Sequence, residues 1–454
     1  MSQPETRRPN VIWILGDQHR SQALGCHGDP NVHTPNADRM AAEGLDFTAA
    51  VAGYPICIPY RASLLTGRYP HQHGILPRTG RGLTPQDRTV AHAFGEAGYR
   101  TAYFGKWHVD GLPDTPTPQG YRHAMRIVPP DRRGGFEEWT GYENNNSPWD
   151  CWVHAGQGAT AFQRRLPGYE TDALTDLLID YLRARGREAA AGQARPFFAV
   201  LCVQPPHDPY AAPERWMARH TPGQLTLRPN VPDVAWVRER ARRELAGYYA
   251  QIENLDWNLG RVREALAEAG LAFDTHLMFF SDHGDMHGSH GQFRKTGPWE
   301  ESIRVPFIMG GHIPRYAFRH GRTRALINHV DVAPTTLGLC GIEKPAAMAG
   351  TDYSGLRTRR PVEEPESAYL QHIVPVPDAD HVDCAWRGVV TRDGWKYVCQ
   401  ERQPWMLFNL SDDPHEQVNL VWNPAHRNER RRLHERLAAW IAQTADTFPL
   451  PPCP

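Results

Sequence analysis

Short apolar runs alternate along this chain with stretches in which leucine, isoleucine and valine recur every three or four residues. Apolar runs of five to seven residues bounded by turns predict buried strands, and the three-and-four spacing predicts amphipathic helices. Four strands are expected at residues 11–15, 100–104, 197–203 and 276–281. Thr34-Pro35 opens a helix with proline in its first turn. Leu174, Leu177, Leu178 and Leu182 place another over 171–183. Leu245, Tyr248, Ile252, Leu255, Leu259, Val262 and Leu266 form one stripe of a long helix near 234–269. Asp331 is expected to cap a further helix, with Pro334 in its first turn. The alternation predicts an α/β fold, a large mixed and mostly parallel sheet flanked by helices. After about Gly355 the pattern shortens: 386–391, 396–400 and 406–409 read as short antiparallel strands, with turns at Asp393-Gly394 and Asp412-Asp413-Pro414. A charged helix over 427–444 follows. The expected organisation is therefore a catalytic α/β domain, 1–355, and a smaller C-terminal α+β subdomain, 356–454.

The four main strands run into Asp17-Gln18, Lys106-Trp107-His108, Pro205-Pro206-His207 and Asp282-His283-Gly284-Asp285. Open α/β sheets bind ligands outside the carboxyl ends of their strands. Loops are polar for ordinary reasons, which accounts for one loaded strand end better than for four. Asp17-Gln18 and Asp282-His283 offer two carboxylates, an amide oxygen and an imidazole. Oxygen-dominated ligation suits Ca²⁺, Mn²⁺ or Mg²⁺, and the histidine tilts the set towards Mn²⁺. In Cys57-Ile58-Pro59-Tyr60-Arg61, Pro59 suits a first helical turn, which puts Cys57 at a helix N-terminus where negative charge is favoured. Arg61, one turn on, adds a fixed positive charge. A free cysteine is most often only a small buried hydrophobe, so this motif gains weight from the neighbouring loops.

Composition narrows the functions. With 51 acidic and 50 basic residues the net charge is -1, which provides no electrostatic drive towards nucleic acid or a membrane surface. Eight cysteines without a C-x-x-C pair argue against a disulfide scaffold or zinc ribbon. The apolar stretch at 11–15 is too short for a secretory signal, so a soluble cytoplasmic protein is expected. Only Lys106, Lys295, Lys344 and Lys396 among the basic residues are lysine, the rest being arginine.

Taken together, the Cys57–Arg68 run C-I-P-Y-R-A-S-L-L-T-G-R, Gly105-Lys106-Trp107-His108, Ser281-Asp282-His283-Gly284-Asp285 and Arg294-Lys295 ahead of Trp299-Glu300-Glu301-Ser302 resemble the formylglycine-dependent sulfatase family of the alkaline phosphatase superfamily. Leu407-Phe408-Asn409-Leu410 with Asp413-Pro414-His415-Glu416 resembles the family's closing segment, so the likeness spans nearly the whole chain. The resemblance implies hydrolysis of sulfate esters, with release of inorganic sulfate and an alcohol. It implies oxidation of Cys57 to formylglycine by a separate maturation enzyme, and one divalent metal held by Asp17, Gln18, residue 57, Asp282 and His283. Arg61, Lys106 and His108 would hold and deprotonate the hydrated nucleophile. His207 and Lys295 would bind sulfate and protonate the leaving alcohol, and His108 would act as base when the sulfate departs.

Many members of the family have Asp and Asn where this chain has Gln18 and His283, and the Gln and His version resembles choline sulfatases and phosphonate monoester hydrolases. A phosphonate monoester or phosphodiester hydrolase with the same site is therefore the nearest alternative, and a non-catalytic metal-bearing protein with Cys57 unconverted is a remote one. The expected substrate is a small-molecule or saccharide sulfate ester. Phe136, Trp139, Tyr142, Trp149 and Trp152, with Asn144, Asn145 and Asn146, form an aromatic and amide-rich segment suited either to walling a substrate pocket or to plain packing. The Arg-rich last helix and tail 447–454 leave a homo-oligomer open, solvated charge being their ordinary use.

Overall fold

The computed structural model describes residues 8–111, 125–314 and 319–453. The strands in chain order are β1 (Asn10–Gly16), β2 (Leu45–Phe47), β3 (Arg100–Lys106), β4 (Glu138–Tyr142), β5 (Trp152–Ala155), β6 (Phe162–Arg165), β7 (Phe197–Val203), β8 (Thr275–Ser281), β9 (Phe307–Gly310) and β10 (Gly321–Thr323). They form one ten-stranded sheet in the order β10-β2-β9-β8-β1-β7-β3-β4-β5-β6. Its centre, β8-β1-β7-β3-β4, is parallel. Antiparallel pairs β8-β9 and β2-β9 lie on one flank, and β4-β5 and β5-β6 on the other.

A strand's side chains alternate between faces, and β1 shows why its whole run is apolar. Val11, Trp13 and Leu15 enter the core on one face, and Ile12 and Ile14 the core on the other. A parallel strand covered on both faces has no polar side to present. Helices Pro35–Glu43, Glu170–Ala190 and Ala235–Glu268 contribute to the second core; Cys57–Thr66, Val90–Glu96 and Val332–Leu339 contribute to the first. Among the described residues no helix is long and apolar enough to cross a membrane.

The C-terminal unit is an antiparallel meander of β11 (Ser367–His372), β12 (Trp386–Thr391), β13 (Trp395–Gln400) and β14 (Pro404–Asn409). The helix Arg427–Thr444 packs against it through Leu433 and Leu437. The connections from β11 towards the active face are short: Gln371 N–H donates to Gly53 O at 2.7 Å, and Tyr54 Oη accepts from the Ile373 and Val374 amides.

One expectation changes and one open alternative narrows. Asp331 stands at the start of Val332–Leu339 but does not cap it with its side chain. Its oxygens instead accept from the Asn328 and Thr351 amides, tying the turn before the helix to a distant loop. The aromatic segment is mainly structural: Phe136 and Trp139 are buried against Tyr103 and Trp107, and Tyr142 is a buried residue of β4. Trp149 is the exposed member, at 46%. The N-terminal residues 1–7 and Pro454, which enter the expectations about targeting and the tail, lie outside the described residues.

Candidate active site

Parallel pairing sets the strand ends at one level. Gly16 lies opposite both Ser281 of β8 and Val203 of β7, and Gly105 opposite Cys202. The approach at Gly105 requires glycine, since a Cβ there would stand 1.9 Å from the Cys202 carbonyl oxygen and φ is +107°. Ser281 Oγ donates to Gly16 O at 2.8 Å and accepts from the His19 amide at 2.9 Å, joining the first and last of the loaded loops. Asp17, Gln18, Lys106, Asp282 and His283 therefore emerge around one buried point, all with no measurable exposure.

The helix Cys57–Thr66 points its N-terminus at that point, with Cys57 its first residue. Cys57 Sγ lies 3.1 Å from His283 Nε2, and 3.5 Å from both Asp17 Oδ1 and Lys295 Nζ. Arg61, one turn along, donates from one nitrogen to Asp17 Oδ2 at 2.9 Å and Asp282 Oδ2 at 3.0 Å, and from the other to Cys202 Sγ at 2.7 Å. Lys106 Nζ adds a third cationic contact, 2.5 Å from Asp17 Oδ2. The outer oxygens of both carboxylates are thus occupied by cations, and the Oδ1 atoms lie nearest the imidazole, 3.6 and 3.7 Å from His283 Nε2.

His283 Nδ1 lies 3.1 Å from Gly284 O. A carbonyl only accepts, so Nδ1 carries the proton and Nε2 offers its lone pair to the site. Two carboxylate oxygens, this imidazole nitrogen and the Cys57 sulfur all lie within 4.8 Å of one another. Their mixture of hard oxygens and one nitrogen, with the second oxygens already engaged, fits a divalent cation.

Lys295 closes the opposite side. Its Nζ is 2.7 Å from Gln18 Oε1 and 3.0 Å from His207 Nε2. His207 Nδ1 lies 2.7 Å from Asp208 O, so it donates there and Nε2 accepts from the ammonium. Burial first, and then the Lys295 charge, push the His207 pKa down to about 3. The sequence suggested a histidine ready to release a proton near neutral pH; in this arrangement His207 is neutral and the ammonium beside it carries the proton. Burial alone would lower Lys295, but the negative groups around it, Cys57 and Asp17 first, outweigh that and raise it. Burial works against ionised Asp17, yet the cations, led by Lys106, hold its carboxyl well below the usual range. His108 stands two residues past Lys106, buried, with left-handed backbone at φ +57°.

Three cations thus surround two carboxylates. Such an excess in a buried site selects an anion, and fixed cations stabilise charge that develops on its oxygens. The sequence reading missed Asp285 and Tyr210, which contact Gln18, and Cys202, which contacts Arg61. The second aspartate of Asp-His-Gly-Asp was a visible signal for the first of these; Tyr210 and Cys202 carry none that a single chain reveals.

The chain is similar to known proteins over nearly its whole length. The family model described as Sulfatase matches residues 9–342, and that described as N-sulphoglucosamine sulphohydrolase, C-terminal, matches 288–443. An ulvan-active sulfatase of Formosa agariphila is 32% identical over 98% of this chain and 83% of its own. An endo-4-O-sulfatase of Bacteroides thetaiotaomicron is 30% identical over 98% and 94%. A solved structure in complex with its substrate D-glucosamine-2-N,6-O-disulfate shares the fold, with TM-score 0.82 at 21% identity over 98% of this chain and 99% of that one.

Proposed function

The chain belongs to the sulfatase family and is a sulfuric ester hydrolase, and from that premise we propose that it cleaves saccharide sulfate esters with an oxygen nucleophile derived from Cys57. The observation that carries the proposal is the setting of Cys57 Sγ at a helix N-terminus, 3.5 Å from the Lys295 ammonium and 3.1 Å from the His283 lone pair. A thiol kept only for packing needs no such surroundings. Oxidation of Cys57 to formylglycine by a maturation enzyme supplies, as the hydrate, a hydroxyl that attacks sulfur and an aldehyde that re-forms when sulfate leaves. Asp17, Gln18, Asp282 and His283, with residue 57, would hold one divalent cation, Ca²⁺ or Mn²⁺ ahead of Mg²⁺. When bound, it polarises the nucleophile and offsets anionic charge.

The chain's own groups supply the rest. Arg61 and Lys106 fix Asp17 and Asp282, and Lys106 and Lys295 face the sulfate oxygens as their charge grows. The attacking hydroxyl gives its proton to His108, which passes it to solvent, and as the new S–O bond forms the bond from sulfur to the alcohol oxygen breaks. The alcohol takes a proton from the Lys295–His207 pair, with His207 aligned by Asp208 O. His108 then accepts the proton of the remaining hydroxyl, and sulfate departs. Overall one water is consumed, yielding alcohol, sulfate and a proton. The substrates named for the relatives, ulvan and a sulfated glucosamine, support a saccharide as the alcohol.

The choice between sulfur and phosphorus is tested with 4-nitrophenyl sulfate and 4-nitrophenyl phenylphosphonate. Higher kcat/KM on the sulfate is expected. A wide preference for the phosphonate overturns the proposal in favour of phosphonate monoester or phosphodiester hydrolysis.

A further inference from the structure

We infer that Asp285 is a positioning residue that fixes which end of the Gln18 amide faces the reacting centre, and so sets cation affinity; the inference rests on the cation site proposed above. An amide oxygen and an amide nitrogen have nearly the same shape, so a glutamine ligand must be held in one of two orientations. In this site the neighbours decide. Gln18 Nε2 lies 2.6 Å from Asp285 Oδ2, and Gln18 Oε1 lies 2.7 Å from Lys295 Nζ. A carboxylate only accepts and an ammonium only donates. The observed orientation makes two charge-assisted hydrogen bonds, whereas the flipped one sets oxygen against oxygen and N–H against N–H.

Asp285 is itself over-determined. Its Oδ1 accepts from the His287 and Arg294 amides at 3.0 and 3.1 Å, and its Oδ2 from Tyr210 Oη at 2.5 Å as well as from Gln18. Tyr210 Oη accepts from Arg294, whose guanidinium also meets Glu244 Oε2 at 2.8 Å. The backbone of Gln18 is equally constrained, at φ +68°, with its N–H on Asp282 Oδ1 and its carbonyl accepting from Tyr248 Oη. Strained backbone of this kind persists only where the surroundings enforce it. None of Asp285, Tyr210 or Glu244 is needed to explain the chemistry at Cys57. Their common effect is to leave Gln18 Oε1, a hard oxygen, turned towards the site.

The test inverts that polarity. In Asp285→Asn the two backbone amides retain the side-chain oxygen, so the new NH₂ takes the place of Oδ2 and opposes Gln18 Nε2. Gln18 then turns its own NH₂ inwards. Mn²⁺ and Ca²⁺ affinities, measured by calorimetry on chelator-stripped protein, are expected to fall about 10–100-fold, the usual effect of losing a partner that orients a ligand. The double variant Gln18→Glu/Asp285→Asn restores the match, because the carboxylate introduced at position 18 accepts from the amide introduced at position 285 and has no wrong end. Its affinity is expected to return close to that of the wild type, with the unfolding midpoint of the cation-free protein reported for each form. Wild-type affinity in Asp285→Asn, or no recovery in the double variant, overturns the inference. Wild-type protein that binds neither ion overturns the cation site itself and the inference with it.

Discussion

Arg61→Leu is expected to lose turnover of sulfate esters entirely and to lower stability by about 3–5 kcal/mol, the usual consequence of removing one partner from a buried ionic cluster. The reason lies in what Arg61 separates. Its guanidinium, 2% exposed, lies between Asp17 and Asp282 and also reaches Cys202. Without it, two buried carboxylates face each other across the nucleophile, Asp282 loses its ion pair, and Lys106 remains in contact with Asp17. A divalent cation supplies part of the missing charge. The loss measured by urea unfolding should therefore be larger in chelator than in excess Mn²⁺. Equal losses in the two conditions, or full activity in the variant, would contradict the arrangement proposed for these carboxylates.

Lys295→Arg is expected to reduce kcat by about 10²–10³-fold, the scale seen when one preorganised donor is removed from an anionic transition state, with folding retained. Lysine is a compact point charge whose proton can be transferred, and arginine is a broad fork that keeps its proton. Lys295 keeps 9% of its surface exposed and Lys106 none, so the larger head is accommodated more readily at position 295. Lys106 has no exposure and lies 2.5 Å from Asp17 Oδ2. Lys106→Arg is expected to match that loss in kcat and to add an overpacking cost of about 1–3 kcal/mol. Near-normal rates in both variants would mean that neither ammonium acts on the reacting sulfate.

Lysine is rare in this chain, and its four positions differ in their surroundings. Lys396 is equally buried, yet it neutralises Glu300 and Glu416 under the C-terminal sheet, and Lys344 is exposed. Scarcity alone therefore did not single out the two lysines near Cys57, since it marked a buried ion-pair lysine and a surface lysine as well.

In the parallel centre β4, Glu138–Tyr142, carries no apolar run, but β1, β7 and β8 were legible because they are buried along their whole length and read as nearly continuous apolar runs, as in Phe197–Val203. The flanks were not. β2 and β10 have three residues each, too few for any period to show, and β11 is buried along its whole length although its sequence, Ser367–His372, mixes polar with apolar residues. Gln371 and His372 are inside because they bind His71, Asp446 and Cys384 O, partners far away in the chain. The cluster of side chains was legible wherever a charged residue ends or directly follows a strand, as at Asp17, Lys106 and Asp282. Residues that act through a neighbour, such as Asp285 and Tyr210 on Gln18, became visible only once distant loops were seen in contact. The same limit explains His207, whose neutrality follows from burial and from Lys295, 88 residues away.

The central claim is that residue 57 becomes the nucleophile only after oxidation. It is tested most directly by measuring, across preparations co-expressed with graded amounts of a formylglycine-generating enzyme, the mass of the peptide containing Cys57 alongside specific activity on 4-nitrophenyl sulfate. Activity is predicted to rise in proportion to the fraction of peptide in which CH₂SH has been replaced by CHO, and to extrapolate to zero for the pure thiol. A pure thiol form with undiminished activity, or a fully converted form with none, would contradict it.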